Sequence, residues 1–97
     1  KTLNNLIFGG ILGKRDGTHD NDIAKYDIKL FDVVIVNLYP FEKVINQTNH
    51  FSVGGNNAIE NTIDNAIENI DIGGVSLLRA SAKNYKYVWC CPVLVYG

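Results

Sequence analysis

Residue types able to hold an anion or move a proton are gathered in the stretch Ala66 to Asn84, AIENIDIGGVSLLRASAKN. Val75, Leu78 and Ala82 recur at helical spacing after Gly73-Gly74. This predicts a helix that opens at the glycines, with unbonded backbone N–H groups and the positive end of its dipole there. Such an end suits an anion or a polarised carbonyl, although most Gly-Gly pairs are simply turns. Asp71 reads as a helix cap or as a site carboxylate, and Lys83 suits the negative end of the same helix. Upstream, Tyr39 follows an apolar run, where its ring either packs with the hydroxyl at the surface or presents a proton donor. Asp71 and Lys83 are twelve positions apart, about 18 Å of rise in continuous helix. The two therefore meet only through a bend at Ala80-Ser81-Ala82, or they address opposite parts of an extended substrate.

Positioning these groups requires strands and helices on either side. Phe31 to Leu38 is β-branched and lacks polar alternation, which predicts a strand buried on both faces of a parallel sheet. Its carboxyl end delivers Asn37, Leu38 and Tyr39 to the place where open α/β sheets bind ligands. Pro40 ends the strand and can start a short helix through Val44 and Ile45. Gln47 to Asn57 reads as a loop. Ile59, Ile63, Ile67 and Ile70 form a ladder that predicts a helix ending near Asp71. Toward the start of the chain, Leu6 to Lys14 predicts a short helix. A polar loop follows from Arg15 to Asn21, with His19 solvated, and Asp20 or Asn21 caps a short helix through Tyr26. Val88 to Cys91 with Val93 to Val95 predicts a final strand, in which Pro92 implies an edge, a bulge or a break. Strand, helices and strand then make a right-handed parallel crossover.

Composition narrows the function classes. A chain of 97 residues holds one small domain, and a net charge of -1 gives no electrostatic reason to expect nucleic acid or a membrane surface as partner. Apolar runs such as Val33 to Val36 are far too short to span a bilayer. No basic segment with an apolar core opens the chain, so a cytoplasmic location is expected. Cys90 and Cys91 are adjacent with no histidine nearby, a pattern of strand packing and not of a zinc pair or a disulfide framework. The absence of methionine suggests a fragment. Two strands alone would also leave the two-faced run at Val33 to Val36 uncovered.

Taken together, Asn37-Leu38-Tyr39-Pro40-Phe41, then IENIDIGG from Ile67 and LLRASAKN from Leu77, resemble the IMP cyclohydrolase domain of the bifunctional purine-biosynthesis proteins that also carry AICAR transformylase. Lys1-Thr2-Leu3 and Gly9-Gly10-Ile11-Leu12 extend the likeness over nearly the whole chain. The resemblance implies an α/β fold: a partial, doubly wound parallel sheet of the methylglyoxal-synthase kind. Residues 1–97 would supply roughly the C-terminal half of the domain, with the first strands preceding Lys1.

The reaction it implies is ring closure of a formylated purine-precursor ribonucleotide to IMP, with no metal or redox cofactor. Lys1, Tyr39, Asp71 and Lys83 match residues the family uses for catalysis. Thr2, with Lys1, matches its substrate-phosphate site, and Asn37, Asp71, Ile72 and Gly73 match its substrate- and base-binding region. The ligand implied is the precursor ribonucleotide or IMP, with a homodimer in the full-length protein and neither nucleic acid nor membrane as partner. The sequence departs from the family where Asn4-Asn5 replaces His-Pro, where Phe8 replaces the histidine before Gly-Gly, and where Tyr85 replaces the histidine after Ala-Lys-Asn. This reading requires that a strand tip and the amino end of a helix converge so that Tyr39 and Gly73 face one cavity; the alternative function is an inactive piece that serves only as a nucleotide-binding or dimerisation module.

Overall fold

The computed structural model describes residues 1–39, 41–48 and 56–93. Its elements run α1 (Asn5–Leu12), α2 (Asp20–Lys25), β1 (Val33–Asn37), α3 (Phe41–Thr48), α4 (Asn56–Glu68), α5 (Gly73–Lys83) and β2 (Trp89–Val93). Two compact units emerge, Lys1–Leu38 with Ile72–Gly97, and Tyr39–Asp71. The first holds α1, α2, α5 and the sheet; the second holds α3 and α4, which pack on each other.

β1 and β2 pair in parallel, with Val33 opposite Trp89 and Ile35 opposite Cys91. Chain connectivity forces a crossover between parallel strands, and α5 packs against both. The mixed α/β class is therefore as expected, here with a two-stranded parallel sheet among the described residues. The expectation that β1 is buried on both faces is corrected. Val36 is buried and Val34 half-buried on the helix-facing side, whereas Val33 and Ile35 are 50% and 69% exposed. Trp89, 77% exposed, continues that open apolar face. An apolar run cannot encode which of its faces a helix will cover; α1 and α5 lie on one side only. Pro92 sits inside β2, opposite Val36. The missing N–H is tolerated because β2 pairs on one side alone among the described residues.

Ile11, Ala80 and Val88 form the core of the first unit, with Phe8, Leu12, Phe31, Val34 and Leu77 packed around them. Burying a side chain such as Ile11 contributes about 1.5–3 kcal/mol. α1 forms despite Gly9-Gly10 because its start is capped: Asn4 Oδ1 accepts from the N–H groups of Leu6 at 2.9 Å and Ile7 at 3.4 Å. Thr2 Oγ1 in turn accepts from the Asn4 N–H at 2.9 Å. Asn4, one of the departures from the family pattern, is thus accounted for as a helix cap.

The carbonyls of Gly9, Gly10 and Ile11 in the last turn of α1, and that of Gly13 just after it, are taken. Gly9 O accepts from Gly13 N–H at 2.8 Å, and Gly10 O from Phe31 N–H at 2.9 Å. Ile11 O accepts from Asn84 Nδ2 at 2.7 Å, and Gly13 O from Arg15 Nη1 at 2.9 Å and Asn84 Nδ2 at 3.2 Å. Asn84 is buried, so its amide joins the ends of α1 and α5 where water does not compete. Arg15 also donates to Phe31 O and lies 5.8 Å from the Tyr87 ring centroid, pinning the loop that was expected to be merely polar. His19 precedes α2 without a side-chain cap bond; its Nδ1 accepts from Lys14 N–H at 3.1 Å.

α4 ends at Glu68, not near Asp71. Asn69 stops it: the Asn69 side-chain amide donates to Asn65 O at 2.8 Å, and Asn69 and Ile70 N–H turn to the carbonyls three residues back. Ile63, Ile67 and Ile70 of the expected ladder are exposed rather than buried. The expected loop also shortens, since Gln47 lies in α3 and Asn57 in α4; Pro40, residues 49–55 and the Leu94–Val95 end of the last strand lie outside the described residues.

Candidate functional site

α5 begins at Gly73, where the sequence places it, and its first turn closes through Ser76 N–H to Ile72 O at 3.0 Å. Ile72 is the N-cap residue without a side-chain cap bond, so Asp71 does not take the capping role. What packs on this end is the start of the chain. A Cβ built on Gly73 would lie 3.0 Å from Lys1 Cβ and 3.3 Å from both the N and the O of Thr2. The Lys1-Thr2 backbone therefore rides directly over the amino end of α5, an approach that a glycine permits.

Asn37 closes the same end. β2 starts beside the start of β1, since Trp89 N–H donates to Asp32 O at 2.8 Å, and α5 finishes shortly before Trp89. The carboxyl end of α5 is thus at the amino ends of the strands, and its amino end is at their carboxyl ends, where Asn37 lies. α1 runs alongside α5 in the same direction, with Lys1-Thr2 before its start near Gly73 and Ile11 and Gly13 at its end bonded to Asn84. Lys1, Thr2, Asn37, Ile72 and Gly73 accordingly share one end of the first unit. This is the end at which α/β folds hold ligands, with a helix dipole suited to negative charge.

In the second unit, Asp71 Oδ2 accepts from Tyr39 N–H at 3.0 Å. Two candidate residues 32 positions apart in sequence are thereby brought together through the Tyr39 backbone. The Tyr39 side chain is exposed.

Lys83 is not brought to the Gly73 end. α5 is one continuous helix from Gly73 to Lys83, so the bend at Ala80-Ser81-Ala82 does not occur. Ten residues at the helical rise hold the two ends of α5 about 15 Å apart. Lys83 instead lines an open cavity of about 530 Å³ with Leu12, Arg79, Ala80 and Ala82. Arg79, four residues before Lys83, also lines this cavity; its type and position read from sequence as a solvated or paired charge, and its side chain is exposed. Among the described residues, no group of three or more His, Cys, Asp or Glu side chains is arranged to hold a metal ion, and no helix is long and apolar enough to cross a membrane.

No protein-family profile matches the chain. Curated relatives do. The chain is 49% identical over 89 residues to the bifunctional purine biosynthesis protein PurH of Prochlorococcus marinus (strain MIT 9215), covering 91% of this chain and 15% of that protein. It is 51% identical over 89 residues to PurH of Buchnera aphidicola subsp. Acyrthosiphon pisum (strain Tuc7), and 47% identical over 89 residues to PurH of Listeria monocytogenes serotype 4a (strain HCC23). The chain spans about 15% of the length of these relatives, so the likeness is to a part of a domain within the bifunctional protein. The motif resemblance is borne out at that level.

Proposed function

We propose that this chain, as a counterpart of part of the bifunctional purine biosynthesis proteins, belongs to the IMP cyclohydrolase half and takes part in closing the purine ring. Ring closure needs no electron transfer. An amide nitrogen attacks a formyl carbon, a tetrahedral oxyanion develops, and water leaves. Proton donors and fixed dipoles around the base are the required equipment.

In this reading Thr2 and Lys1 position the substrate phosphate over the amino end of α5, and Asn37, Ile72 and Gly73 bind the base. Asp71 orients the reacting amide, while the Tyr39 hydroxyl and Lys83 handle protons and the developing oxyanion. With α5 unbent, Lys83 serves the far part of an extended substrate. The observation that carries the reading is the Lys1-Thr2 backbone seated on Gly73 at the strands' carboxyl end, in a chain 46–51% identical to the purine biosynthesis relatives.

The finer fold belongs to the same proposal. The open apolar face of Val33, Ile35 and Trp89 has the character of surface that a further helical layer covers in a doubly wound sheet. That face also favours a second reading, in which the chain is an inactive module that binds nucleotide or dimerises. Turnover separates the two. When the chain is mixed with the formylated aminoimidazole carboxamide ribonucleotide and the products are resolved by chromatography, IMP is expected to accumulate faster than in buffer alone. Substrate binding with IMP at the uncatalysed rate would favour the module and reject the enzyme.

A further inference from the structure

We infer that Asn4 is a positioning residue for the substrate phosphate, acting through the Thr2 hydroxyl and resting on the ring-closure reading for the ligand itself. A hydroxyl has one proton to donate and two lone pairs that accept. At Thr2 one lone pair is taken, because Oγ1 accepts from the Asn4 N–H at 2.9 Å. The proton is not taken, since among the described residues the Thr2 hydroxyl has no second partner. A phosphate dianion offers acceptors only, so a hydroxyl serves it by donating. The Asn4 N–H, by occupying the oxygen as an acceptor, turns the Thr2 proton away from itself and leaves it for such a ligand.

Asn4 holds this arrangement because its own orientation is fixed. Its Oδ1 accepts from the N–H groups of Leu6 at 2.9 Å and Ile7 at 3.4 Å, which ties the residue, at φ -61° and ψ 129°, to the first turn of α1. α1 is tied in turn at its far end, where Asn84 Nδ2 donates to the carbonyls of Ile11 and Gly13. The direction of the Asn4 N–H is therefore set by a helix anchored at both ends. Thr2 is held from its other side as well, since its backbone N and O each lie 3.3 Å from the place a Gly73 Cβ would take. A donor fixed before the ligand arrives loses less freedom on binding, and that is the advantage Asn4 confers. Asn4 itself is exposed, so replacing its side chain leaves the core intact.

Affinity of the 97-residue chain for IMP, measured by isothermal titration calorimetry, tests this in a double-mutant cycle. Thr2→Val keeps the shape of the side chain and removes the hydroxyl; it should weaken binding roughly tenfold or more. Asn4→Gly keeps the backbone N–H and most of the capping preference but removes the side-chain tie. It should weaken binding roughly three- to tenfold alone, and by less than about twofold in the Thr2→Val background. Asn4→Ser, whose hydroxyl caps a helix as asparagine does, should bind within about twofold of the unaltered chain. A residue that served only the stability of α1 would weaken binding equally in both backgrounds. That additive result, or an Asn4→Gly chain that binds IMP as tightly as the unaltered one, would overturn the positioning role. An unaltered chain that takes up no IMP would instead remove the phosphate seat and the ring-closure reading with it, an outcome distinct from a failure at Asn4.

Discussion

Gly10→Ala should lower the unfolding free energy of the chain by about 2–4 kcal/mol, and Gly9→Ala should change it little. The two glycines are adjacent in α1, and in both cases alanine gains about 1 kcal/mol of helix propensity. Their surroundings differ. A Cβ on Gly10 would run into the backbone oxygen of Lys29 and lie 2.7 and 2.8 Å from two carbons of the Phe31 ring. Relief requires moving the 29–31 segment, whose Phe31 N–H donates to Gly10 O and whose Phe31 O accepts from Arg15. A Cβ on Gly9 meets only Ile28, its Cδ1 at 3.2 Å, the far end of a flexible side chain. A small domain has roughly 5–15 kcal/mol in total, so the Gly10 change removes a large share. Urea denaturation followed by circular dichroism measures both. Equal midpoints for the two variants would mean that the 29–31 segment does not lie over α1 as described.

Tyr39→Phe should cut ring-closure turnover by about 10²-fold or more while leaving the unfolding midpoint in place. The substitution removes one oxygen from an exposed side chain and keeps the backbone N–H that Asp71 accepts. A structural contribution would appear as a shifted midpoint, and a binding contribution as a raised KM with kcat intact. A fall in kcat alone assigns the hydroxyl to proton handling or to the oxyanion. Lys83→Met in parallel asks whether the far end of α5 belongs to the same reaction. A comparable loss of kcat places Lys83 on the substrate, whereas unchanged turnover removes it from the chemistry.

Much of the scaffold was legible because its signals are local. Val75, Leu78 and Ala82 after Gly73-Gly74 mark α5, and the β-branched run marks β1. Boundaries failed where a side chain intervened. Asn69 halts α4 by bonding Asn65 O, and no apolar periodicity carries that information. The burial of β1 failed for a different reason, since the sequence of a strand names its residues but not the layer above each face. Long-range bonds were also invisible. Asn84 to Ile11, Arg15 to Phe31 and Tyr39 to Asp71 join positions whose residue types are ordinary at the surface. Of the site, the Lys1-Thr2 approach to Gly73 follows the family motifs, whereas the unbent α5 that separates Gly73 from Lys83 had to be seen.

The seat of the nucleotide is most directly tested by titrating the chain with IMP and reading the amide NMR signals of Thr2, Asn37 and Gly73. If the start of the chain and the amino end of α5 hold the ligand together, all three signals shift along one saturation curve, and Gly73→Ala, which pushes Lys1 and Thr2 away, weakens it. Saturable shifts that leave Thr2 and Gly73 unmoved, or no saturable shift at all, would contradict a nucleotide site at that end of the sheet.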